Sequence, residues 1–250
     1  ANMERWRWMP DDFGYRFISI NVPRFHLEMM ENDEKVYEER VVVGREKFQT
    51  PLFSDSLEYI VLNPYWNMPK SIARDELGYK VREDSSYLKT NGITVFKGSR
   101  EIDYTRVNWQ TANFEDYFFR QSASTTNPMG VVKFIFPNDF DVYLHDTPSR
   151  DLFIYSRRTY SHGCIRLREP LNFAKHLLNT DPFWTGQRID DALSLPEETK
   201  ITIKKSVPIH ILYWTVFIDE KTGELNFRED LYFWDEQAYK ALTTPMDAAN

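Results

Sequence analysis

The sequence predicts a mainly β fold of the α+β class, a single domain of 250 residues with a helical subdomain inserted into it. Three observations carry that reading. Period-two alternation of apolar and polar residues recurs between Tyr15 and Ile218, no strand-helix-strand alternation of the parallel α/β kind appears, and the stretch 68–120 changes to helix-start and helix-stop signals.

Each element follows from local chemistry. Asn2 to Pro10 (NMERWRWMP) is dense in Trp and Arg and stopped by a proline, so it reads as the last turn of a helix entered from an upstream region absent from this chain. Phe17 to Ile20 are extended; then Phe25, Leu27 and Met29 face one way while Arg24, His26 and Glu28 face the other. The polar run Glu31 to Glu34 turns the chain, and Val36 to Val43 return as a second strand closed by Gly44, which makes a hairpin. Thr50 to Phe53 and Leu57 to Leu62 are extended, and Pro64 and Pro69 exclude helix after them. Within the insertion, Ser71 and Asp84 start helices that Gly78 and Gly92 stop, and Asn113 to Gln121 reads as a further short helix. Val131 to Phe136 and Phe140 to His145 are strands, the latter with Val142 and Leu144 on one face and Tyr143 and His145 on the other. Phe153 to Tyr155 are strand-like, and Glu169 and Pro170 open a helix presenting Leu171, Ala174, Lys175 and Leu178 along one side. Ile201 to Ile203 and Val207 to Ile218 are strands, Glu236 to Leu242 is weakly helical, and Thr243 to Asn250 is a frayed tail.

A net charge of −7 with no basic cluster argues against a nucleic-acid partner, since phosphate binding relies on surplus Lys and Arg. No run of about 18 apolar residues is present, so nothing in this chain is expected to span a membrane. The chain has one cysteine, Cys164, which therefore has no internal disulfide partner.

That thiol sits in Ser161-His162-Gly163-Cys164, with His145 nineteen residues upstream of it. Thiolates attack carbonyls, and an unperturbed thiol near pKa ~8.5 is mostly protonated at neutral pH, so a histidine within reach is required. His162 is near by connectivity; His145 stands at a strand end where a neighbouring element could deliver Cys164 to it. Gly163 permits a sharp turn that could aim the main-chain N–H groups of residues 163 and 164 at one point, and such an oxyanion donor is worth about 3 kcal/mol. Arg166, two residues on, suits a carboxylate-bearing substrate. A lone cysteine is more often an inert buried hydrophobe. His26 and His176 read as solvated and His210 as a core histidine. His145, Asp146, His162 and Cys164 are all metal-ligand types, but their spacing matches no zinc pattern, and no metal or cofactor is expected.

The motifs NVPRFHLEMM, VVVG, TPLF, NPYWNMPKSI, VVKFIFPN, VYLHDTP and SHGCIRL together resemble the L,D-transpeptidases of bacterial cell walls, of the YkuD type. The signature is a histidine, a spacer, then Ser or Thr, His, Gly and Cys, met here by His145, fifteen residues, and Ser161 to Cys164. The likeness covers nearly the whole chain and points to the larger branch, whose catalytic domain is a mixed β-sandwich or barrel-like fold. It implies that residues 1–250 are that domain, that 68–120 form a lid, and that a scaffold and peptidoglycan-binding region lies upstream. It makes Cys164 the nucleophile and His145 its base, with His162 and Gly163 flanking the oxyanion site. Tyr143, Asp146, Ser161 and Arg166 are the implied substrate contacts, Asp146 acting through its carboxylate or its backbone.

The implied reaction is attack on the third-residue carbonyl of a tetrapeptide stem, release of D-alanine and transfer of the acyl group to an amine of another stem. Hydrolysis by an L,D-carboxypeptidase and an inactive wall-binding module are the alternatives. Stem peptides and carbapenem-type β-lactams are the implied partners, and a bacterial periplasm or cell envelope the implied location.

Overall fold

The computed structural model describes residues 1–219 and 222–244. A short helix α1 (Asn2–Trp6) leads to β1 (Arg16–Asn21), β2 (His26–Glu31), β3 (Glu34–Gly44) and β4 (Phe53–Leu62). Alternation sends Ile18, Ile20, Leu27 and Met29 inward. The β2–β3 hairpin turns at Asn32 and Asp33, both at positive φ (51° and 65°), the pair of left-handed residues that a tight primed turn needs.

The insertion opens with β5 (Trp66–Asn67), then α2 (Lys70–Ile72), a π-helical turn Ala73–Leu77, α3 (Gly78–Glu83) and α4 (Ser86–Thr90). It continues with β6 (Ile93–Lys97), β7 (Arg100–Ile102) and β8 (Phe118–Gln121). A separate core of Met68, Leu77, Val81, Leu88, Val95, Trp109, Phe114 and Phe119 holds it together. The helical expectation therefore covers only its first part, because residues 93–121 build a sheet ordered β5-β8-β6-β7. Asn113 to Gln121, read as a helix, is a 3-10 turn at Phe114–Asp116 followed by β8, in which Phe119 and Gln121 are buried and Phe118 and Arg120 are more open. Aromatic side chains pack well on a pleated sheet and lose rotamer freedom in a helix, which decides the competition. Gly78, read as a stop, lies inside continuous helix at φ −54°; the helix ends at Asp84, which is extended and accepts the Ser86 N–H at 2.8 Å.

The chain then returns through β9 (Val132–Ile135), β10 (Leu144–His145), β11 (Thr159–Ser161), β12 (Ile165–Leu167), α5 (Pro170–Leu177) and α6 (Gly186–Leu193). It finishes with β13 (Thr199–Leu212), the ribbon β14 (Val216–Ile218) and β15 (Leu225–Phe227), and α7 (Trp234–Thr243). The strands pair as β3-β12-β10-β9-β4-β13-β1-β2, and β2 pairs back to β3, so eight strands close into a barrel with β11 added on β3. This selects the barrel over the sandwich. The interior is filled by Ile18, Ile20, Leu27, Val41, Leu57, Ile60, Phe134, Leu144, Ile165, Ile209 and their neighbours, and α5 packs onto the same core through Phe173, whose ring lies 5.1 Å from that of Phe134.

Three further expectations change. Only Leu144 and His145 of the expected strand Phe140–His145 are paired. Asn138 takes the preceding segment: its amide donates to the carbonyls of Phe136 and Val142 at 2.7 and 2.9 Å, and its oxygen accepts the N–H groups of Phe140 and Val142. Phe153 lies in a 3-10 turn, Arg150–Ile154, rather than a strand. The buried side of α5 is Pro170, Phe173, Ala174 and Leu177 with Leu178 after them; Leu171 packs against it partly buried, while Lys175 lies off it, paired with Asp190 at 3.0 Å. The tail beyond Thr244 lies outside the described residues. No helix among the described residues is long and apolar enough to cross a membrane.

Candidate active site

β10 lies between β9 and β12, antiparallel to the first and parallel to the second, with His145 opposite Lys133 on one side and Arg166 on the other. Leu144, Ile165, Phe134 and Val132 point into the core, so Tyr143, His145, Lys133, Cys164 and Arg166 share the outer face. Extending the parallel register by one residue places Cys164 beside Tyr143. Two rows result: Tyr143 with Cys164, and next to it Lys133, His145 and Arg166. With strands ~4.8 Å apart and ~3.3 Å of rise per residue, Cys164 and His145 are diagonal neighbours with α-carbons about 8 Å apart, a span their side chains can bridge.

The turn carrying Cys164 is fastened from beneath. Gly163 has φ +109°, a conformation that L side chains rarely adopt. Ser161 Oγ donates to the Cys164 carbonyl at 2.5 Å and accepts the Gly163 N–H at 3.2 Å. Thr50, fully buried, donates to the Gly163 carbonyl at 2.8 Å and accepts the Gly44 N–H at 2.9 Å, while Tyr232 donates to the Gly44 carbonyl at 2.6 Å. A β-carbon on Gly44 would lie 2.1 Å from the Phe48 carbonyl oxygen, so only glycine fits this fastening.

These bonds correct two expectations. Ser161 is buried and occupied within the turn, a positioning group rather than a substrate contact. The Gly163 N–H is already donated, so it does not pair with that of Cys164. Among the described residues no acceptor meets the Cys164 N–H, which is left for an oxyanion.

Cys164 Sγ is partly exposed and points at the Asp141 carbonyl, 3.7 Å away. Burial pushes the thiol above its ordinary value; a main-chain hydrogen bond from Tyr143 and the charges of Lys133 and Arg166 oppose that rise. His145 is 4% exposed, and burial, then Arg166 and Lys133, bring its pKa down to about 3. Its Nδ1 meets the Asp146 carbonyl at 2.5 Å. A carbonyl only accepts, so Nδ1 carries the proton and Nε2 presents a lone pair, the tautomer a general base needs. The resting pair is a neutral thiol and a neutral imidazole.

It is the backbone carbonyl of Asp146 that meets the imidazole. Its carboxylate accepts the Val131 N–H at 2.8 Å and the Thr147 N–H at 2.6 Å and is paired with Arg150. Of the two alternatives for Asp146, carboxylate or backbone, the carboxylate is occupied by these partners within its own scaffold. The ring of His162 also departs from expectation: its Nε2 contacts Arg45 and pairs with Glu76 of the π-helical turn at 3.1 Å, and its face packs on Phe48 at 4.7 Å. The ring of His162 is thus taken up by Glu76 of the insertion and by Arg45 and Phe48 beyond β3.

Tyr143 and Arg166 lie on the same outer face as Cys164 and His145. Tyr143 donates to Asp141 at 3.3 Å, and burial first, then Asp141, pushes its phenol up to about 12. Arg166 has a buried Nε with no partner. Lys133 is the residue that sequence reasoning missed: its ammonium sits 3.7 Å above the Tyr143 ring. The alternation of VVKFIF carried the signal, because it puts Lys133 opposite the apolar face of its strand. Of the remaining histidines, His210 is buried and bonded to Ser54 at 2.7 Å as expected, whereas His26 and His176 are half-buried rather than solvated. His26, Glu28 and Glu38 come close enough to suit a cation, but Arg24 and Lys35 already pair with these carboxylates.

A sequence profile of the L,D-transpeptidase catalytic domain (YkuD) matches residues 15–201. A provisionally named L,D-transpeptidase of Haemophilus influenzae is 28% identical over 237 residues, 94% of this chain and 47% of that protein, so the chain spans about half the length of this curated relative. Among solved structures, L,D-transpeptidase 3 from Mycobacterium tuberculosis in complex with a faropenem-derived adduct is 13% identical with a TM-score of 0.37, over 79% of this chain and 60% of that one. An L,D-transpeptidase from Mycobacterium smegmatis is 11% identical with a TM-score of 0.34, over 79% and 58% of the two chains.

Proposed function

Because the chain belongs to the L,D-transpeptidase (YkuD) family, we propose that it is the catalytic domain of a peptidoglycan acyltransferase that works through a thioester on Cys164. The observation that carries this reading is the shared outer face of Cys164 and His145, with the imidazole held in its base tautomer by the Asp146 carbonyl. His145 Nε2 takes the thiol proton as Sγ attacks the third-residue carbonyl of a tetrapeptide stem. Concerted transfer suits a pair that rests neutral, because neither an early thiolate nor an early imidazolium is favoured here. The Cys164 N–H receives the oxyanion. Collapse returns the proton to the departing nitrogen, releases D-alanine and leaves the thioester. The amine of a second stem then attacks, losing its proton to His145, and the thiol is regenerated.

Transfer prevails over hydrolysis only if water is kept away, which gives the insertion at 68–120 the role of a lid. The substrate places the reaction in a periplasm or cell envelope. Carbapenem-type β-lactams present a strained carbonyl to the same sulfur and are expected to acylate it. The test is release of D-alanine from a tetrapeptide stem with and without an amine acceptor, for the unsubstituted enzyme, Cys164→Ala, His145→Gln and His162→Gln. Cys164→Ala is expected to be inactive with an unchanged fold, and His145→Gln to lose roughly 100-fold or more while His162→Gln loses far less. Turnover by Cys164→Ala would end the proposal. Release that gives only free tripeptide, whatever the acceptor, would make the enzyme a carboxypeptidase.

A further inference from the structure

Lys133 has no role in the steps above, yet its charge acts on the thiol more strongly than that of Arg166. It starts in the row of His145, directly across the β9–β10 pair, and its ammonium reaches over Tyr143 into the row of Cys164. Arg166 stands on the other side of His145. Among the described residues no carboxylate lies within ion-pair distance of either cation; Asp141 and Glu198 act on Lys133 only from further off. Two cations without close counter-charges, one with a buried unpartnered Nε, are costly to hold unless a ligand completes them. In a chain of net charge −7 this local surplus is not background. It calls for an anion.

Covalent geometry says where that anion is. In a donor whose carbonyl carbon meets Sγ, the carboxylate of the next residue lies within about 4 Å of that carbon when the next residue is the last one. A longer or amidated donor has no charge there. That reach is within one strand spacing of ~4.8 Å, so a carboxylate turned toward β9 comes over Tyr143, where Lys133 Nζ lies 3.7 Å from the ring centre.

We propose that Lys133 is a specificity-determining residue of this site, its ammonium binding the free carboxylate of the residue that leaves, so that the thiol acts on donors with one residue beyond the scissile bond. The proposal rests on the acyl-transfer reading. Arg166 remains for a second carboxylate on the donor side chain.

The experiment compares kcat/KM for two donors, a tetrapeptide stem and the same stem with its terminal carboxylate amidated, in the unsubstituted enzyme, Lys133→Met and Lys133→Arg. Alkylation of Cys164 by neutral iodoacetamide is followed in parallel as a measure of the thiol itself. The unsubstituted enzyme should prefer the carboxylate donor, and Lys133→Met should lose roughly 30-fold on that donor and under about 3-fold on the amide, collapsing the preference, as for loss of one charge-assisted hydrogen bond. Lys133→Arg should retain most of the preference. Equal losses on both donors, tracked by slower alkylation, would overturn the proposal and make Lys133 an electrostatic support of the thiol. An unchanged preference in Lys133→Met would also overturn it. If the unsubstituted enzyme processes neither donor, the acyl-transfer reading itself fails, and this proposal with it.

Discussion

Asp146 shows how much one residue can settle. Its carbonyl fixes the imidazole tautomer, while its carboxylate, half a residue away, clamps Val131, Thr147 and Arg150. That clamp needs Gly130, because a β-carbon there would lie 2.2 Å from the Asp146 carboxylate. Glu39 is a second buried acid and carries a prediction. One of its oxygens accepts the Glu169 N–H at the mouth of α5 at 2.7 Å, the other is buried without a partner, and burial raises its pKa from 4.5 to about 8. The folded state therefore holds a proton that the unfolded state releases above 4.5, so the stability tied to Glu39 is complete below that value and is lost as pH rises through 8. Glu39→Gln should unfold at the same urea concentration as the unsubstituted protein at pH 5 and at a higher one at pH 9. Equal midpoints at both would remove Glu39 from the account. Residue type and spacing single out Cys164, His145, His162 and Arg166, whereas Tyr143 enters only with the family resemblance, which leaves the Asp146 carboxylate and backbone as alternatives. The bonds that His162, Ser161 and the Asp146 carboxylate make are not legible there, because the direction of a side chain in a loop depends on partners distant in sequence, such as Glu76 for His162.

At the scale of elements, Glu76 of the π-helical segment joins the insertion to His162, in the turn before Cys164, at 3.1 Å and to Arg45, just beyond β3, at 4.0 Å. A π-helical turn is an irregularity often found at functional sites, and here it presents Glu76 to the residue two before the thiol. All three groups are substantially exposed, so the link adds little to global stability. Its worth is local. Glu76→Gln should shift the melting temperature by less than about 3 °C while raising the ratio of hydrolysis to transfer several-fold. A fall in stability with an unchanged product ratio would count against any gating by this contact. The insertion also marks where reading the sequence stops: Pro64, Pro69 and the cap residues signal a change of character from residue 68 on. They could not show that 93–121 would be strand, since aromatic runs suit a helix face or a sheet and the choice depends on the core they help to build.

For the molecule as a whole, hydrophobic alternation located most barrel strands, and the hairpin β2–β3 was legible from its polar turn. Closure was not. The pairing of β1 with β13 joins Ile18 to Ile209, and nothing local in either strand names the other. Such a contact is slow to form because the loop it closes spans most of the chain, whereas the insertion completes its sheet within residues 66–121. Pulsed hydrogen exchange during refolding should therefore protect amides of β6 and β8 before those of β1 and β13; simultaneous protection would argue for one cooperative unit. β13 also sits between β4 and β1, so any chain halted before Thr199 is left with two long, apolar, unpaired edges facing each other across a gap. Exposed edges of that kind recruit other chains. During synthesis, then, this protein passes through a stage in which its principal hazard is aggregation, and a nascent fragment that already contains Ser161 to Cys164 still lacks the strand that closes the barrel beneath them.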